Sequence, residues 1–327
     1  MTRFTSALVL LSSLFLFSTP ALAQQARQYT EIAGTGQTLF RMAVPPVIDG
    51  GAAAKQAKVL REVLSKDMQL IGLFKLIDPK SFLADLKAEG TGIKLDAWAN
   101  IGAQGVIKAK AVALAREITV EFYLYDLGKG ATPVLSKTYK GPGRQVRRLA
   151  HKFGDDVVKY YTGEPGIFTT KIAFATTNPK TRVSNIYVMD YDGHGVYKAS
   201  RTGPQNVLPA WSPHGSIAYT SYLWRNTDLF IAPAGGGGRA KRVSKYPGLN
   251  TGAAFHPSGG SIALTLSKDG NAELYIIDTA GKVLRRLTNN AAIDTSPTWS
   301  PDGSQIAFVS NRGGTPQIYV MGAGGGD

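Results

Sequence analysis

Two short motifs in this chain contain residue types that bind cations or phosphate. The run Asp-Tyr-Asp-Gly at 190–193 begins like a calcium-binding loop, but the distal glutamate that completes such a loop is missing. The same four residues suit a tight hairpin turn between two strands. Gly34–Thr38 has the glycines of a phosphate-binding loop without its lysine, and no strand precedes it. The sequence therefore predicts a turn and a plain loop, with no metal and no cofactor.

Side chains that support catalysis are not grouped along the sequence. The chain has no cysteine, which excludes thiol catalysis and cysteine-bound zinc. It contains no G-x-S-x-G, H-E-x-x-H or Walker A sequence. The histidines are not spaced as metal-ligand pairs, and we expect turn or surface roles for all of them: His151, His194, His214 and His256. These observations favour a binding protein over an enzyme.

The first 23 residues predict a secretory signal peptide. Arg3 precedes the apolar run Ala7–Phe17, and the small residues Ala21 and Ala23 stand where a signal peptidase cuts. The run is shorter than the roughly 20 apolar residues that span a bilayer. We therefore expect cleavage after Ala23, a periplasmic mature chain and a polar tail at 24–38. The net charge of +14 is spread over both halves of the chain, which indicates general basicity rather than a nucleic-acid site.

Residues 166–327 repeat with a period typical of a β-propeller. The Ile-Ala pairs that begin at Ile172, Ile217, Ile262 and Ile306 are spaced by 45, 45 and 44 residues. Each unit holds short β-branched or aromatic runs separated by turn residues, which predicts four-stranded blades. The first unit lacks the Trp-Ser-Pro strand of the others, and the fourth stops after its third strand. We therefore expect a C-terminally truncated chain with an incomplete propeller.

Residues 39–165 have different periods and predict a separate α/β domain. Ala52–Met68 and Gly143–Tyr161 carry apolar residues at helical spacing. Alternating residues at 107–113 and 118–124 predict half-buried strands, and shorter strands are expected at 135–139 and 73–77. Thr162–Gly166 reads as the linker to the propeller. The predicted fold class is an α/β N-terminal domain followed by an all-β propeller.

The loops that enter the Trp-Ser-Pro strands are the candidate partner-binding face. They stand at the same position of successive repeats, so they should converge at one end of the propeller. Their short polar side chains suit adaptable hydrogen bonding to a partner. The predicted contact residues are Asn206, Asn250, Thr251, Asp294 and Thr295.

The order of these segments resembles the TolB family, the periplasmic propeller component of the Tol-Pal system. The resemblance is carried by the α/β domain, the linker, the run at 190–193 and the corners that contain Trp211 and Trp299. Its most specific single positions are Thr162, Gly163, Gly166, Phe168, Ile172 and Ala173.

The resemblance implies a six-bladed propeller whose face binds the peptidoglycan-associated lipoprotein Pal. It also implies that the tail engages the inner-membrane protein TolA, with Tyr29 and Ile32 as contact residues. The system supports outer-membrane integrity and envelope constriction during cell division. The chain departs from the family pattern in its missing blades and in a tail that is only loosely similar. A periplasmic propeller-containing hydrolase or a small-ligand-binding protein is the alternative.

Overall fold

The computed structural model describes residues 39–201, 203–235 and 239–326. The predicted cleavage site at Ala21 and Ala23, the tail residues Tyr29 and Ile32 and the loop at 34–38 lie outside the described residues. Residues 39–326 form one compact unit. None of the helices in this described part is long and apolar enough to cross a membrane.

The α/β region is built on one six-stranded mixed sheet. Five strands lie in the order β3-β1-β4-β5-β6, and β2 pairs with β4. The strands are β1 (Phe40–Ala43), β2 (Ile48–Asp49), β3 (Phe74–Leu76), β4 (Gly105–Leu114), β5 (Glu117–Asp126) and β6 (Leu135–Pro142). The helices are α1 (Ala54–Leu70), α2 (Leu86–Glu89), α3 (Leu95–Ala99) and α4 (Val146–Thr162).

The two long helices pack on the sheet because each has one continuous apolar face. Leu60 and Leu64 of α1 are fully buried, as are Phe153 and Val157 of α4. Phe153 stacks on Phe122 of β5 with ring centroids 4.7 Å apart. The helical spacing and the alternating strands thus predicted these elements correctly. The shorter elements α2, α3, β1 and β2 were not predicted.

The second region consists of antiparallel blades, each formed by consecutive strands. Blade 1 has three strands: β7 (Lys171–Thr177), β8 (Ser184–Asp190) and β9 (Tyr197–Lys198). Blade 2 has four: β10 (Asn206–Trp211), β11 (Ser216–Ser221), β12 (Asp228–Pro233) and β13 (Lys241–Ser244). Blade 3 has four: β14 (Asn250–Phe255), β15 (Ser261–Leu266), β16 (Glu273–Asp278) and β17 (Val283–Arg286). Blade 4 has three: β18 (Asp294–Trp299), β19 (Gln305–Ser310) and β20 (Gln317–Gly322).

The first strands of blades 2, 3 and 4 are the innermost ones. β10 contacts β14, and β14 contacts β18, across the blade boundaries. Each of the three strands has a bulge after its second residue, and its third residue has a positive φ. These third residues are Leu208, Gly252 and Ser296. The bulge is therefore part of the repeat and bends every inner strand at the same height.

Candidate interaction site

The two ends of the propeller differ in what they contact. β8 ends at Asp190, and the turn that follows lies against the α/β region, where Lys66 Nζ donates to the carbonyl of Asp192 at 2.6 Å. β8 begins at Ser184, at the opposite end, where its hydroxyl donates to the carbonyl of Asn206 at 3.1 Å. We call this opposite end the distal face; it is formed by the loops 178–183, 199–201, 203–205, 222–227, 245–249, 267–272, 289–293 and 311–316.

The predicted partner-contact residues converge at this face, but three of their side chains are interior. Asn206, Asn250 and Asp294 begin the three innermost strands and are at most 1% exposed. Asn206 Nδ2 donates to the carbonyls of Ser184 and Arg201, and Asn250 Nδ2 donates to that of Tyr246 at 2.7 Å. The prediction that these side chains touch a partner is therefore corrected: they hold the loops from behind.

The other two predicted residues lie one position deeper on the inner strands. Thr251 and Thr295 are half-buried. The Thr251 hydroxyl lies 3.0 Å from that of Thr220, in the neighbouring blade. These two threonines remain the accessible members of the predicted set.

Buried carboxylates paired with arginine recur behind the distal face. Asp228 pairs with Arg242 at 2.7 Å, and Glu273 pairs with Arg286 at 3.3 Å. Each of these carboxylates is fully buried and begins the third strand of its blade. Asp294 pairs in the same way with Arg312 at 3.0 Å. Because removing one partner of such a pair leaves a buried charge, the pairs hold the distal ends of these three strands in place.

Apolar side chains of the distal face were not identified from the sequence. Tyr222, Trp224, Leu249 and Ile293 are between 38% and 50% exposed. They stand in loops that precede or follow the strands, where periodicity gives no signal. A comparison of loop residues between the repeats would have found Trp224, because its counterparts are Asp269 and Gly313.

The motif at 190–193 forms the predicted hairpin turn and has a second role in the structure. Asp192 accepts a hydrogen bond from the backbone N–H of His194 at 3.1 Å, and Gly193 has a φ of 82°. The Asp192 carboxylate also pairs with Arg147 of α4. It lies 3.9 Å from Nε2 of His151, whose Nδ1 is 2.8 Å from the carboxylate of Asp67 in α1. The turn is thus an attachment point between the propeller and the α/β region.

The two aspartates at this attachment point, Asp67 and Asp192, differ in their acidity. Burial raises the pKa of Asp67 above the ordinary 3.8, and the hydrogen bond with His151 offsets burial only in part. Burial also opposes ionisation of Asp192, but the His194 N–H and the Arg147 guanidinium outweigh it and hold the pKa of Asp192 below 3.8.

Asp192→Asn is expected to remove part of the acid sensitivity of folding. Because its pKa is lower in the folded chain, the carboxylate stabilises the fold above its ordinary pKa of 3.8 and loses this contribution as the pH falls through the lowered value. The variant should unfold more easily at pH 7 and show a shallower loss of stability on acidification. Urea titrations between about pH 3 and 7 check this. An unchanged pH profile, against Glu164→Gln as an exposed control, would contradict the expectation.

The segment 166–169, where the linker ends, is also fixed against the last helix. Asp155 of α4 accepts hydrogen bonds from the backbone N–H groups of Phe168 and Thr169, at 2.7 and 3.2 Å. A Cβ at Gly154 would come within 2.7 Å of the Phe168 ring, and one at Gly166 within 2.5 Å of Asp155. The close approach of the segment 166–169 to α4 therefore requires both glycines.

The turn or surface role expected of His151 is wrong, because this residue is buried in α4. His214 and His256 lie in turns, as expected. His214 Nε2 is 3.2 Å from the carbonyl of Ser258 in the next blade. The His256 ring lies edge-to-face against Trp299, with centroids 4.7 Å apart. Both histidines therefore pack between blades at the end opposite the distal face. Among the described residues, no group of three or more His, Asp or Glu side chains is placed to hold a metal ion.

An α/β region followed by successive antiparallel blades defines a β-propeller protein with an N-terminal domain. A family model described as the TolB beta propeller domain matches residues 158–327, and one described as the TolB amino-terminal domain matches residues 29–132. The chain belongs to the TolB family.

Relatives and a solved structure agree with this assignment. The Tol-Pal system protein TolB of Anaeromyxobacter sp. (strain K) is 37% identical over 292 residues, which cover 86% of this chain and 64% of the relative. The protein of the same name from Geobacter sulfurreducens is 39% identical over 208 residues, which cover 63% of this chain and 48% of the relative. The crystal structure of TolB from Acinetobacter baumannii superimposes with a TM-score of 0.78 at 27% identity and covers 89% of this chain and 71% of that one. The chain thus spans less than two thirds of the length of these two relatives.

Proposed function

We propose that this chain is a protein-binding component of the bacterial Tol-Pal system, located in the periplasm and without catalytic activity. The observation that carries the proposal is the joint order of the TolB amino-terminal and propeller domains in one chain. Its distal face binds a Pal-like peptidoglycan-associated lipoprotein, and its tail, through Tyr29 and Ile32, engages a TolA-like inner-membrane protein. Through these partners it supports outer-membrane integrity and constriction during division.

The distal face has the character of a protein interface. Exposed aromatic and aliphatic side chains stand there among polar ones, which is the composition that interface centres favour. The buried acid–arginine pairs beneath them hold the loops in place before binding. A pre-organised surface of this kind loses little conformational entropy when a partner binds.

The alternative function, a propeller-containing hydrolase, has weaker support. A hydrolytic serine needs a histidine base that a third group orients. The Ser258 hydroxyl lies 2.7 Å from His256 Nδ1, but both belong to the same turn. No carboxylate in the described part of the chain bonds this histidine, so the contact serves the turn.

A co-purification experiment tests the proposal. The full chain is incubated with envelope extract and with the purified Pal-like protein of the same bacterium, and retained proteins are identified. We expect the Pal-like lipoprotein to be recovered and a TolA-like protein to be lost when residues 24–38 are deleted. Failure to retain any Pal-like protein would reject the proposed function.

Replacing Thr251 and Thr295 together by arginine is expected to weaken binding of the Pal-like protein by about tenfold or more. The change places two long side chains on the distal face where threonines stood, and their steric clash with the partner raises the cost of docking. Affinity is measured by calorimetry, and the fold is checked by thermal melting. Because Thr251 also contacts Thr220, Thr295→Arg alone is the second variant.

Thr279→Arg provides the matched control for these threonine variants. Thr279 is exposed in the turn between β16 and β17, at the other end of the propeller. Its replacement adds the same bulk and charge and should leave affinity unchanged. Equal affinities for folded Thr295→Arg, the double variant and the control would show that the distal face is not the binding surface.

A further inference from the structure

The loop between the second and third strands of blade 2 departs from its counterparts in the other blades. Trp224-Arg225 stands where blade 3 has Asp269-Gly270 and blade 4 has Gly313-Gly314. Arg225 has a φ of 61°, and the equivalent glycines have φ values near 100°. Arg182 occupies the same position of blade 1 with a φ of 59°. The left-handed region disfavours side chains that have a Cβ, so folding alone favours glycine at both places.

Trp224 is held in a fixed position although it is 47% exposed. Its ring stacks on Phe230, with centroids 5.6 Å apart and an interplanar angle of 25°. The guanidinium of Arg242 lies 4.8 Å from the ring centroid, and that of Arg201 lies 5.9 Å from it. A tryptophan immobilised between arginines is ready to bind because little side-chain entropy remains to be lost.

The loops around this tryptophan carry positive charge and have no exposed carboxylates. The segments 178–183, 199–205, 222–228 and 245–249 contain a single acidic residue, Asp228, which is fully buried and paired with Arg242. The basic side chains of these segments are Lys180, Arg182, Arg201, Arg225 and Lys245. In blade 3, by contrast, Lys268 is paired with Asp269 at 2.7 Å. Blades 1 and 2 therefore give one side of the distal face an uncompensated positive charge.

We propose that the surface formed by Arg182, Arg201, Tyr222, Trp224 and Arg225 binds an acidic segment of a protein partner. This inference rests on the proposed function, in which the distal face is the partner-binding surface. Carboxylates of the segment pair with the arginines, and an apolar side chain packs on the exposed part of Trp224. Anionic lipid fits less well, because the ring lies stacked against the protein and does not project into a bilayer.

Two variants and a control test this surface on the full chain. Trp224→Ala removes the aromatic centre, and Arg225→Gly installs the residue that blades 3 and 4 use at this position. Lys282→Ala, in the turn between β16 and β17 at the other end, removes one exposed positive charge as a control. The probes are the Pal-like protein, a labelled peptide of alternating Glu and Leu, the corresponding Lys-Leu peptide, and vesicles of anionic phospholipid.

We expect the Glu-Leu peptide to bind the unaltered chain and the Lys-Leu peptide not to bind. Trp224→Ala should weaken peptide binding by about tenfold or more, as for a central aromatic contact. Arg225→Gly should weaken it several-fold and reduce its salt dependence, with the fold at least as stable as before. The control variant should bind like the unaltered chain.

The outcomes separate this inference from the proposed function. If the Pal-like protein binds but neither variant changes its affinity or that of the peptide, the surface is wrongly assigned and the proposed function stands. If the peptide results are as expected but the Pal-like protein does not bind, the acidic-partner surface stands and the proposed function fails. Preferential retention on anionic vesicles, with no peptide binding, would overturn the inference in favour of a membrane contact.

Discussion

Gly281→Ala is expected to destabilise the propeller far more than Gly270→Ala, although the two glycines have nearly the same φ, 99° and 101°. A Cβ at Gly281 would lie 1.9 Å from the carbonyl oxygen of Val243 in the preceding blade, whereas one at Gly270 would meet nothing within 4 Å. Both changes introduce left-handed strain, which costs about 1–2 kcal/mol. Only Gly281→Ala also forces two blades apart. The group in its way is a backbone carbonyl, which cannot turn aside as a flexible side chain can.

Urea unfolding of the two variants checks this expectation. Gly281→Ala should lower the free energy of unfolding by about 3 kcal/mol or more, and Gly270→Ala by the strain alone. The difference measures how tightly the turn of blade 3 packs against β13 of blade 2. Equal losses in the two variants would mean that the blades separate without cost, contrary to the packing described above.

His151→Ala is expected to have the second largest effect, by leaving the buried carboxylate of Asp67 without its partner. Asp67 is fully buried, and its other carboxylate oxygen has no hydrogen-bond partner in the described structure. Removal of one member of a buried pair costs about 3 kcal/mol or more. The loss should be greatest at neutral pH and shrink as the pH falls toward the raised pKa of Asp67, because the carboxyl group then takes up a proton instead of remaining charged.

The measurement is a set of urea titrations at several pH values. Arg148→Ala is the control, since Arg148 is exposed on the same helix. The control should change stability by less than about 0.5 kcal/mol at any pH. If His151→Ala lost the same stability at every pH of the series, burial of the Asp67 charge would not be the cause.

Most of the architecture could be predicted because it is encoded locally. The Ile-Ala pairs repeat at a regular interval, and the alternation at 118–124 marks one buried face of a strand. Helices α2 and α3 were missed because four or five residues do not complete enough turns to show a period.

The candidate site could be predicted only in outline. Their equivalent positions in successive repeats correctly predicted that Asn206, Asn250 and Asp294 lie at one end of the propeller. It gave no information on whether their side chains point outward, because their partners come from other segments of the chain. The attachment of Asp192 to α4 was missed for the same reason: Arg147 lies 45 residues earlier in the sequence.

The fixed linker has a mechanical consequence. Asp155 holds the segment that leaves the last helix, and the pairing of Asp192 with Arg147 holds the first blade at a second point. Two attachments prevent rotation about either one. The propeller and the α/β region therefore turn together as one rigid body. A partner that pulls on the distal face would thus apply torque to the α/β region directly, because no flexible linker has to extend first.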